Sequence, residues 1–193
     1  MEIDLSKLAP DIRRLGDMRD VLHDRDFAKK SADTDSYFMY RKVKQENGLK
    51  HNITVIPANM LGDEFVKTAG HIHMGPQQEI YTVLEGEAIF LMQKTDGEIV
   101  NDVYAVKAKA GESVIIPSLY GHVTINPSEK DLKTSDWSPE NTKSDYSLFK
   151  KLGGACYFYT TQGWIKNKNY KNVPELRFEK PLKEIPKDLS FLK

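Results

Sequence analysis

Three residues within one short stretch have the side chains and the spacing needed to bind a metal ion. His71 and His73 stand one residue apart, and Glu79 follows at the start of a run of β-forming residues. Alternate residues of a strand point to the same face, so the two imidazoles can reach one ion together. By the same rule, Glu79 and Tyr81 share a face. The stretch therefore predicts a metal site in the wall of a cavity.

A fourth ligand candidate is His122, which lies in the later stretch GESVIIPSLYGHVTIN. Three imidazoles and one carboxylate suit a divalent ion such as Fe, Mn, Ni, Co or Zn. Such a set would leave one or two coordination positions for substrate oxygens. A lone histidine in a strand is usually a hydrogen-bonded or surface residue. Four ligand candidates on β-forming runs, each beside a turn, favour a metal centre instead.

The segments that must position these ligands are short and rich in β-forming residues. The joints ENG, EGE, TDGE and AGES between them have the composition of turns. Strands are predicted in YFMYRKV, NITVIP, EFVKT, EIYTVLEG, EAIFLMQ, VYAVKAK, SVIIP, HVTIN and GACYFYTT. Strands of this number and spacing, without alternating helices, predict an all-β sandwich or barrel.

Two flanking segments and one insertion accompany this β-rich region. Residues 1–35 are predicted to form a helical or extended arm, because apolar residues recur there at helical spacing, interrupted at Gly16. Residues 36–166 are predicted to form the barrel. Within it, residues 127–151 are polar and nearly patternless, which suggests an exposed insertion between two strands. Residues 167–193 contain three prolines and are expected to pack on the barrel or on a partner.

The composition argues against several classes of function. Among the 193 residues, 28 basic side chains balance 28 acidic ones, so no net charge favours nucleic acid or an anionic membrane as partner. Cys156 is the single cysteine, which rules out an intramolecular disulfide and a cysteine-cluster zinc site. No segment has the length and hydropathy of a signal peptide or a membrane span. We expect a soluble, cytoplasmic protein.

The spacing of the candidate ligands resembles that of the cupins, which are β-barrels with two sequence motifs. The first motif carries an HxH pair and a glutamate, and the second carries a third histidine. The first motif is matched from Glu79 to Gly86 as E-x6-G. The second is matched by the G-x5-P and H-x3-N spacings within GESVIIPSLYGHVTIN. Two departures are visible: five residues, MGPQQ, separate the HxH pair from the glutamate, and Leu119 occupies the usual glycine of the second motif.

These departures narrow the resemblance to one group. The stretch TAGHIHMGPQQEIYTVLEGEAIFLMQ, followed by PSLYGHVTIN, is similar to the archaeal-type cupin glucose-6-phosphate isomerases, which carry T-x-GHxH, a longer gap and then E-x-Y. The similarity covers roughly residues 37–126 and touches the earlier IRRLGDMRDVL. It implies a cupin double-stranded β-helix, or jelly-roll barrel, that acts as a homodimer. It also implies an aldose–ketose isomerase that interconverts glucose 6-phosphate and fructose 6-phosphate in glycolysis and gluconeogenesis.

The resemblance also implies a role for each ligand candidate. His71, His73, Glu79 and His122 would bind one divalent transition metal per subunit, with iron expected first and zinc, manganese, nickel or cobalt as alternatives. Glu79 and His122 are the predicted catalytic residues, with Glu79 moving a proton through a cis-enediol. A carboxylate held by a cation is a weaker base, so a metal-assisted hydride shift stays open as the second mechanism.

Further residues are expected to hold the phosphorylated hexose. By resemblance these are Thr54, Thr68, Gly70 and Tyr81, since hydroxyls and a backbone N–H can bind phosphate and glycine permits close approach. Tyr159 and Tyr40 could line the cavity, although a barrel core needs such rings anyway. Lys67 and Arg41 could add positive charge, but the sequence does not fix their direction.

Other functions remain compatible with the same ligands. A cupin dioxygenase would use bound iron or nickel with O2. A different sugar isomerase, acting on mannose 6-phosphate or an unphosphorylated aldose, would keep the metal and change the anchoring residues. A non-catalytic sugar-binding barrel is a third class, although no helix-turn-helix pattern or basic segment supports a transcriptional sensor. The T-x-GHxH pattern favours a phosphosugar.

Overall fold

Short runs of β-branched and aromatic residues, joined by tight turns, form most of the chain. The structure, a computed structural model, describes residues 3–193. The turn at Asn47-Gly48 illustrates the local logic. Both residues have positive φ, 53° and 73°, as a two-residue hairpin of the I′ type requires, and the Asn-Gly pair adopts such angles readily. This turn joins the two longest neighbouring strands of the larger sheet.

The described residues contain sixteen strands and three short α-helices. The strands are β1 (Asp11–Arg14), β2 (Asp35–Glu46), β3 (Leu49–Ile56), β4 (Met60–Leu61), β5 (Glu64–Phe65), β6 (Ile72–His73), β7 (Glu79–Glu85), β8 (Glu87–Asp96), β9 (Ile99–Lys109), β10 (Ser113–Ile116), β11 (Gly121–Ile125), β12 (Leu132–Pro139), β13 (Ser144–Asp145), β14 (Tyr157–Thr160), β15 (Gly163–Lys166) and β16 (Arg177–Glu179). The α-helices are α1 (Leu15–Met18), α2 (Arg25–Lys30) and α3 (Ser147–Leu152), and 3-10 turns span Leu5–Lys7, Arg19–Val21 and Ser190–Leu192.

Two main sheets enclose the core. One has the strand order β1-β2-β3-β12-β7-β10 and the other the order β11-β8-β9-β16. From β7 to β12 the chain passes repeatedly from one sheet to the other, which is the winding of a double-stranded β-helix. Side chains from both sheets meet between them, as Tyr81 and Phe90 do with ring centroids 5.2 Å apart. The predicted all-β cupin barrel is confirmed, and each of the nine predicted strand segments overlaps an observed strand.

The predicted N-terminal arm is partly extended. Residues 11–14 form β1, which pairs with β2 at the edge of the larger sheet, and Ile12 is 46% exposed there. The helical spacing persists only in short turns, where Leu15 and Met18 are buried. Within the predicted helical or extended arm, β1 is therefore the extended part, because sheet pairing prevails there over the helical spacing of the apolar residues. The first two residues of the arm lie outside the described part of the chain.

The polar insertion at 127–151 is not an exposed excursion. Its residues Leu132–Pro139 form β12, which lies between β3 and β7 in the larger sheet, and α3 (Ser147–Leu152) begins within its last residues. The expectation of an exposed segment is wrong because β12 turns polar side chains inward, so the usual apolar alternation is missing. The tail packs along the barrel: Leu182 forms a β-bridge with Ser113, and Leu192 is buried.

Helices capable of crossing a membrane are absent from residues 3–193, where none is both long and apolar enough.

Candidate metal centre and its cavity

Backbone pairing places the four ligand candidates around one point. The His71 N–H donates to the His122 carbonyl at 3.2 Å, and the His122 N–H donates back at 2.9 Å, which joins the two segments as a β-bridge. His73 ends β6, and Glu79 begins β7. The ring centroid of His71 lies 4.4 Å from that of His122 and 5.2 Å from that of His73. The strand parity of the HxH pair thus brings both rings to the same site.

The ligand atoms of these four residues all lie within 4.8 Å of one another. Glu79 Oε2 is 3.4 Å from His73 Nε2 and 3.3 Å from His122 Nε2. The Tyr81 hydroxyl lies 3.5 Å from His122 Nε2. His73, Glu79 and His122 are buried, while His71 is half-buried. The cluster is therefore shielded from bulk water on most sides.

Burial and mutual contacts determine the charges in the cluster. Burial lowers the pKa of His71 well below its ordinary value, and the neighbouring His122 acts in the same direction. Burial also lowers the pKa of His122. Burial opposes the charged form of His73, but the contacts with Glu79 outweigh it and raise the pKa of His73. Burial likewise opposes ionisation of Glu79, yet its contacts with His122 and His73 hold the pKa of Glu79 well below its usual range.

Three of the four ligand candidates favour the protonation state that a cation requires, and one of their atoms is unsatisfied. The pKa shifts favour an ionised Glu79 and neutral His71 and His122, as ligation requires, whereas His73 would first have to lose a proton. Glu79 Oε2 is buried, yet its short contacts with the imidazoles lack hydrogen-bond geometry, so it has no hydrogen-bond partner. Buried polar atoms are normally satisfied. Three nitrogens and one carboxylate oxygen fit a divalent transition metal, without selecting one ion among the late first-row metals.

The cluster lies at a cavity that most of the predicted substrate-binding residues also line. Thr54, Thr68, Gly70 and Tyr81 all face it. The Thr68 Oγ1 accepts a hydrogen bond from the Thr124 N–H at 3.0 Å. The hydrogen of the Thr68 hydroxyl is therefore free to be donated to a ligand.

Tyr159 lies elsewhere. Its strand, β14, belongs to the small sheet β15-β14-β5-β4, and its ring stacks on Phe65 with centroids 5.0 Å apart and lies 4.7 Å from Trp164. The structure therefore corrects the expectation that Tyr159 lines the cavity, because this aromatic cluster holds the ring outside it. Tyr40 is likewise not among the cavity-lining residues of the described chain.

The two cations with undetermined directions separate in the structure. Arg41 faces the cavity, and its Nε lies 2.6 Å from Asp11 Oδ2. Lys67 is buried away from the cavity, where its amine pairs with Glu64 and donates to the Val21 carbonyl at 2.8 Å. Only Arg41 of this pair can therefore act on a ligand in the cavity.

The cavity is also lined by residues that the motifs did not indicate, among them Lys50, Asn52, Asp136 and Tyr146. The ring of Tyr146, directly before α3, lies 5.4 Å from that of His71. Burial, together with the charge of Glu79, raises the pKa of Asp136 well above its ordinary value. The position of Asp136 in the alternating pattern of KTSDWSP could have indicated a side chain that points into the barrel. This would have required the assumption that the interior of the barrel is polar.

Comparison with known proteins identifies the family. The sequence matches the family model described as glucose-6-phosphate isomerase (GPI) over residues 12–175. The chain belongs to the glucose-6-phosphate isomerase family. A glucose-6-phosphate isomerase of Thermococcus litoralis is 27% identical, over 74% of this chain and 76% of its own. A glucose-6-phosphate isomerase of Thermococcus kodakarensis is 26% identical, over 80% of this chain and 82% of its own.

The match to the glucose-6-phosphate isomerase family extends beyond the motifs that first suggested it. It includes β12 and α3, which lie after the region of motif resemblance, and it ends before β16. A solved structure of oxalate oxidase in complex with the substrate analogue glycolate has a TM-score of 0.45 and 18% identity. That similarity covers 57% of this chain and 55% of the other.

Proposed function

We propose that this chain is a metal-dependent isomerase that interconverts glucose 6-phosphate and fructose 6-phosphate. The observation that supports the proposal most is the cluster of His71, His73, Glu79 and His122 at a polar cavity. Membership of the glucose-6-phosphate isomerase family supports this reaction over the dioxygenase and the non-catalytic barrel. The wider role in glycolysis and gluconeogenesis follows from the reaction itself.

The residues of the cavity would divide the work at the reacting carbons. The metal, for which we propose iron, would act as a Lewis acid toward the oxygens at C1 and C2. Glu79 is the proposed base, because it is ionised and lies in the cavity, and it would move a proton between C1 and C2 through a cis-enediol. His122, the second proposed catalytic residue, lies beside this carboxylate, with its Nε2 3.3 Å from Glu79 Oε2.

The phosphate would be held away from the reacting carbons by hydroxyl, backbone and cationic groups. Thr68 has a hydrogen free to donate, and Thr54 and Gly70 line the same cavity. Arg41 and Lys50 add positive charge to it, and the Lys50 amine is oriented by a hydrogen bond to a backbone carbonyl at 2.9 Å. Charge-assisted hydrogen bonds of this kind are stronger than neutral ones, so they suit a phosphate dianion.

A coupled assay tests the proposal. Purified protein would be stripped with EDTA, reloaded separately with Fe, Mn, Co, Ni or Zn, and offered glucose 6-phosphate or fructose 6-phosphate. We expect turnover in both directions that EDTA abolishes and metal restores. Absence of turnover with every metal and both substrates would refute the proposal.

Two ligand variants test the assignment of the cluster. His71→Ala and His122→Ala should each lose stoichiometric metal while the protein stays folded, as measured by metal analysis and circular dichroism. His23→Ala is the matched control, because His23 lies outside the cluster. Stoichiometric metal in both ligand variants would show that the assignment is wrong.

Isomerisation in D2O separates the two mechanisms. Proton transfer by Glu79 predicts solvent deuterium at C1 or C2 of the product, whereas a hydride shift predicts none.

We also propose a homodimer located in the cytoplasm. Light scattering of the purified protein measures the first, and fractionation of the native cells measures the second.

A further inference from the structure

A second carboxylate lies in the cavity, outside the metal cluster. Asp136 occupies the middle of β12, paired with Asn52 of β3 on one side and with Tyr81 of β7 on the other. Its side chain faces the cavity, and the residue is only 4% exposed. The cluster of possible metal ligands among the described residues does not include it. The metal centre therefore leaves Asp136 without a role.

Asn52 holds Asp136 in a defined orientation. The Asn52 amide nitrogen donates to Asp136 Oδ2 at 2.7 Å. The Asn52 amide oxygen accepts a hydrogen bond from the Lys42 N–H at 2.9 Å. Lys42 has a φ of 51° and lies within the irregular pairing of β2 and β3. Because this backbone N–H fixes the oxygen end of the amide, the NH2 end must point to the carboxylate.

One amide does not satisfy a buried carboxyl group. Ionised or protonated, such a group has several acceptor positions on its two oxygens, and Asn52 uses one of them. Burying such a group is costly unless hydrogen bonds compensate. Asp136 lines the same cavity as Glu79 and Thr68. Asp136 is therefore placed to accept hydrogen bonds from a ligand that carries O–H donors.

We propose that Asp136, oriented by Asn52, accepts a hydrogen bond from a hydroxyl in the middle of the sugar chain, at C3 or C4. This inference rests on the proposed function, in which the metal centre takes C1 and C2 and the cations take the phosphate. The middle hydroxyls then lack a partner, and the buried carboxyl group of Asp136 has oxygen atoms that can accept hydrogen bonds from them. A site built to bind a hydroxyl rejects analogues that lack it, so Asp136 determines specificity.

Deoxy substrates test the assignment. Wild type, Asp136→Ala and Asp136→Asn would be assayed on glucose 6-phosphate and on its 3-deoxy and 4-deoxy analogues. On glucose 6-phosphate, Asp136→Ala should lower kcat/KM by about 10- to 100-fold, the usual effect of leaving a buried hydroxyl without its hydrogen-bond partner. For the wild type, kcat/KM on one of the deoxy analogues should be lower than on glucose 6-phosphate by a similar factor. Asp136→Ala should not lower kcat/KM on that analogue further. Asp136→Asn should retain part of the activity, since its amide oxygen still accepts.

Thr134→Val provides the matched control. Thr134 lies on β12 two residues before Asp136, is 1% exposed, and has a buried hydroxyl without a hydrogen-bond partner. Valine has nearly the same shape, so this variant should leave kcat/KM unchanged. Metal content should stay at the wild-type level in all variants. Metal loss in Asp136→Ala would overturn the proposal. It would also be overturned if Asp136→Ala lowered kcat/KM by the same factor on glucose 6-phosphate and on both deoxy analogues.

Failure of this inference is distinguishable from failure of the proposed function. If the wild type turns over no sugar phosphate, the proposed function fails, and calorimetric binding of 6-phosphogluconate, an open-chain sugar phosphate, takes the place of the assay. Asp136→Ala should then weaken binding by about 10- to 100-fold while Thr134→Val does not. An unchanged Kd in Asp136→Ala would overturn the inference.

Discussion

Gly70 precedes His71, and its replacement by alanine tests how the segment that carries this candidate metal ligand is packed. Gly70 is buried, with a φ of 80°. A Cβ built on it would lie 2.5 Å from Phe149 Cδ1 and 2.7 Å from Val123 Cγ2. Ordinary contacts between carbon atoms are about 3.5–4.0 Å. Phe149 belongs to α3, so the absence of a side chain at Gly70 lets this helix pack directly against the strand that carries His71.

The expected loss of stability has two parts. An alanine with a left-handed backbone costs about 1–2 kcal/mol. The overlap with Phe149 and Val123 is of the kind that costs about 1–3 kcal/mol when extra carbon is forced into a packed core. Together, Gly70→Ala should lower the free energy of unfolding by about 2–5 kcal/mol. For a protein of this size, each kcal/mol lowers Tm by about 2–4 °C.

Calorimetry of metal-free protein, with Gly111→Ala as control, separates the two parts. Gly111 has a φ of 90°, and a Cβ there would meet nothing within 4 Å. Gly111→Ala should therefore show only the backbone cost. Phe149→Leu combined with Gly70→Ala should lose less than the sum of the single losses, because the smaller side chain relieves part of the overlap. If Gly70→Ala loses no more than Gly111→Ala, the packing argument is refuted.

Three further predictions follow from other parts of the structure. Metal binding must displace the proton that Glu79 stabilises on His73, whose pKa is raised. The affinity for Co²⁺ should therefore fall by up to about tenfold per pH unit below that pKa. Absorbance titrations at about pH 7.5 and 5.5 measure this affinity, and a pH-independent Kd would contradict the prediction. Lys67→Met leaves its buried partner Glu64 unpaired and should cost about 3–5 kcal/mol in urea unfolding. Lys150→Met is the control, because Lys150 is exposed, and it should change stability by less than about 0.5 kcal/mol. Equal losses of stability in Lys67→Met and Lys150→Met would refute the argument. Leu119 occupies the position of the usual cupin glycine, has a φ of 66° and is 52% exposed. Leu119→Gly should therefore raise the free energy of unfolding by up to about 1 kcal/mol. A lower Tm of this variant would contradict the prediction.

Local spacing was enough to predict the cluster of candidate metal ligands and most of the barrel. The period of two along a strand puts His71 and His73 on one face whatever the rest of the chain does. The same period joined Glu79 to Tyr81. Runs of β-branched residues bounded by turn residues marked the strands, and each such run overlaps a strand in the structure. These features depend on neighbours only a few residues away, so the sequence contains them in full.

Long-range pairing decided the features that the sequence could not show. β12 lies between β3 and β7, yet it presents polar groups such as Asp136 to a polar cavity, so its pattern resembles that of a loop. Tyr159 and Lys67 sit on strand-forming segments like those of the cavity, but the small sheet and the partner Glu64 hold them elsewhere. The direction of a side chain depends on which strands pair and which buried group lies opposite. The sequence by itself therefore determined the candidate metal ligands, and the tertiary structure determined what surrounds them.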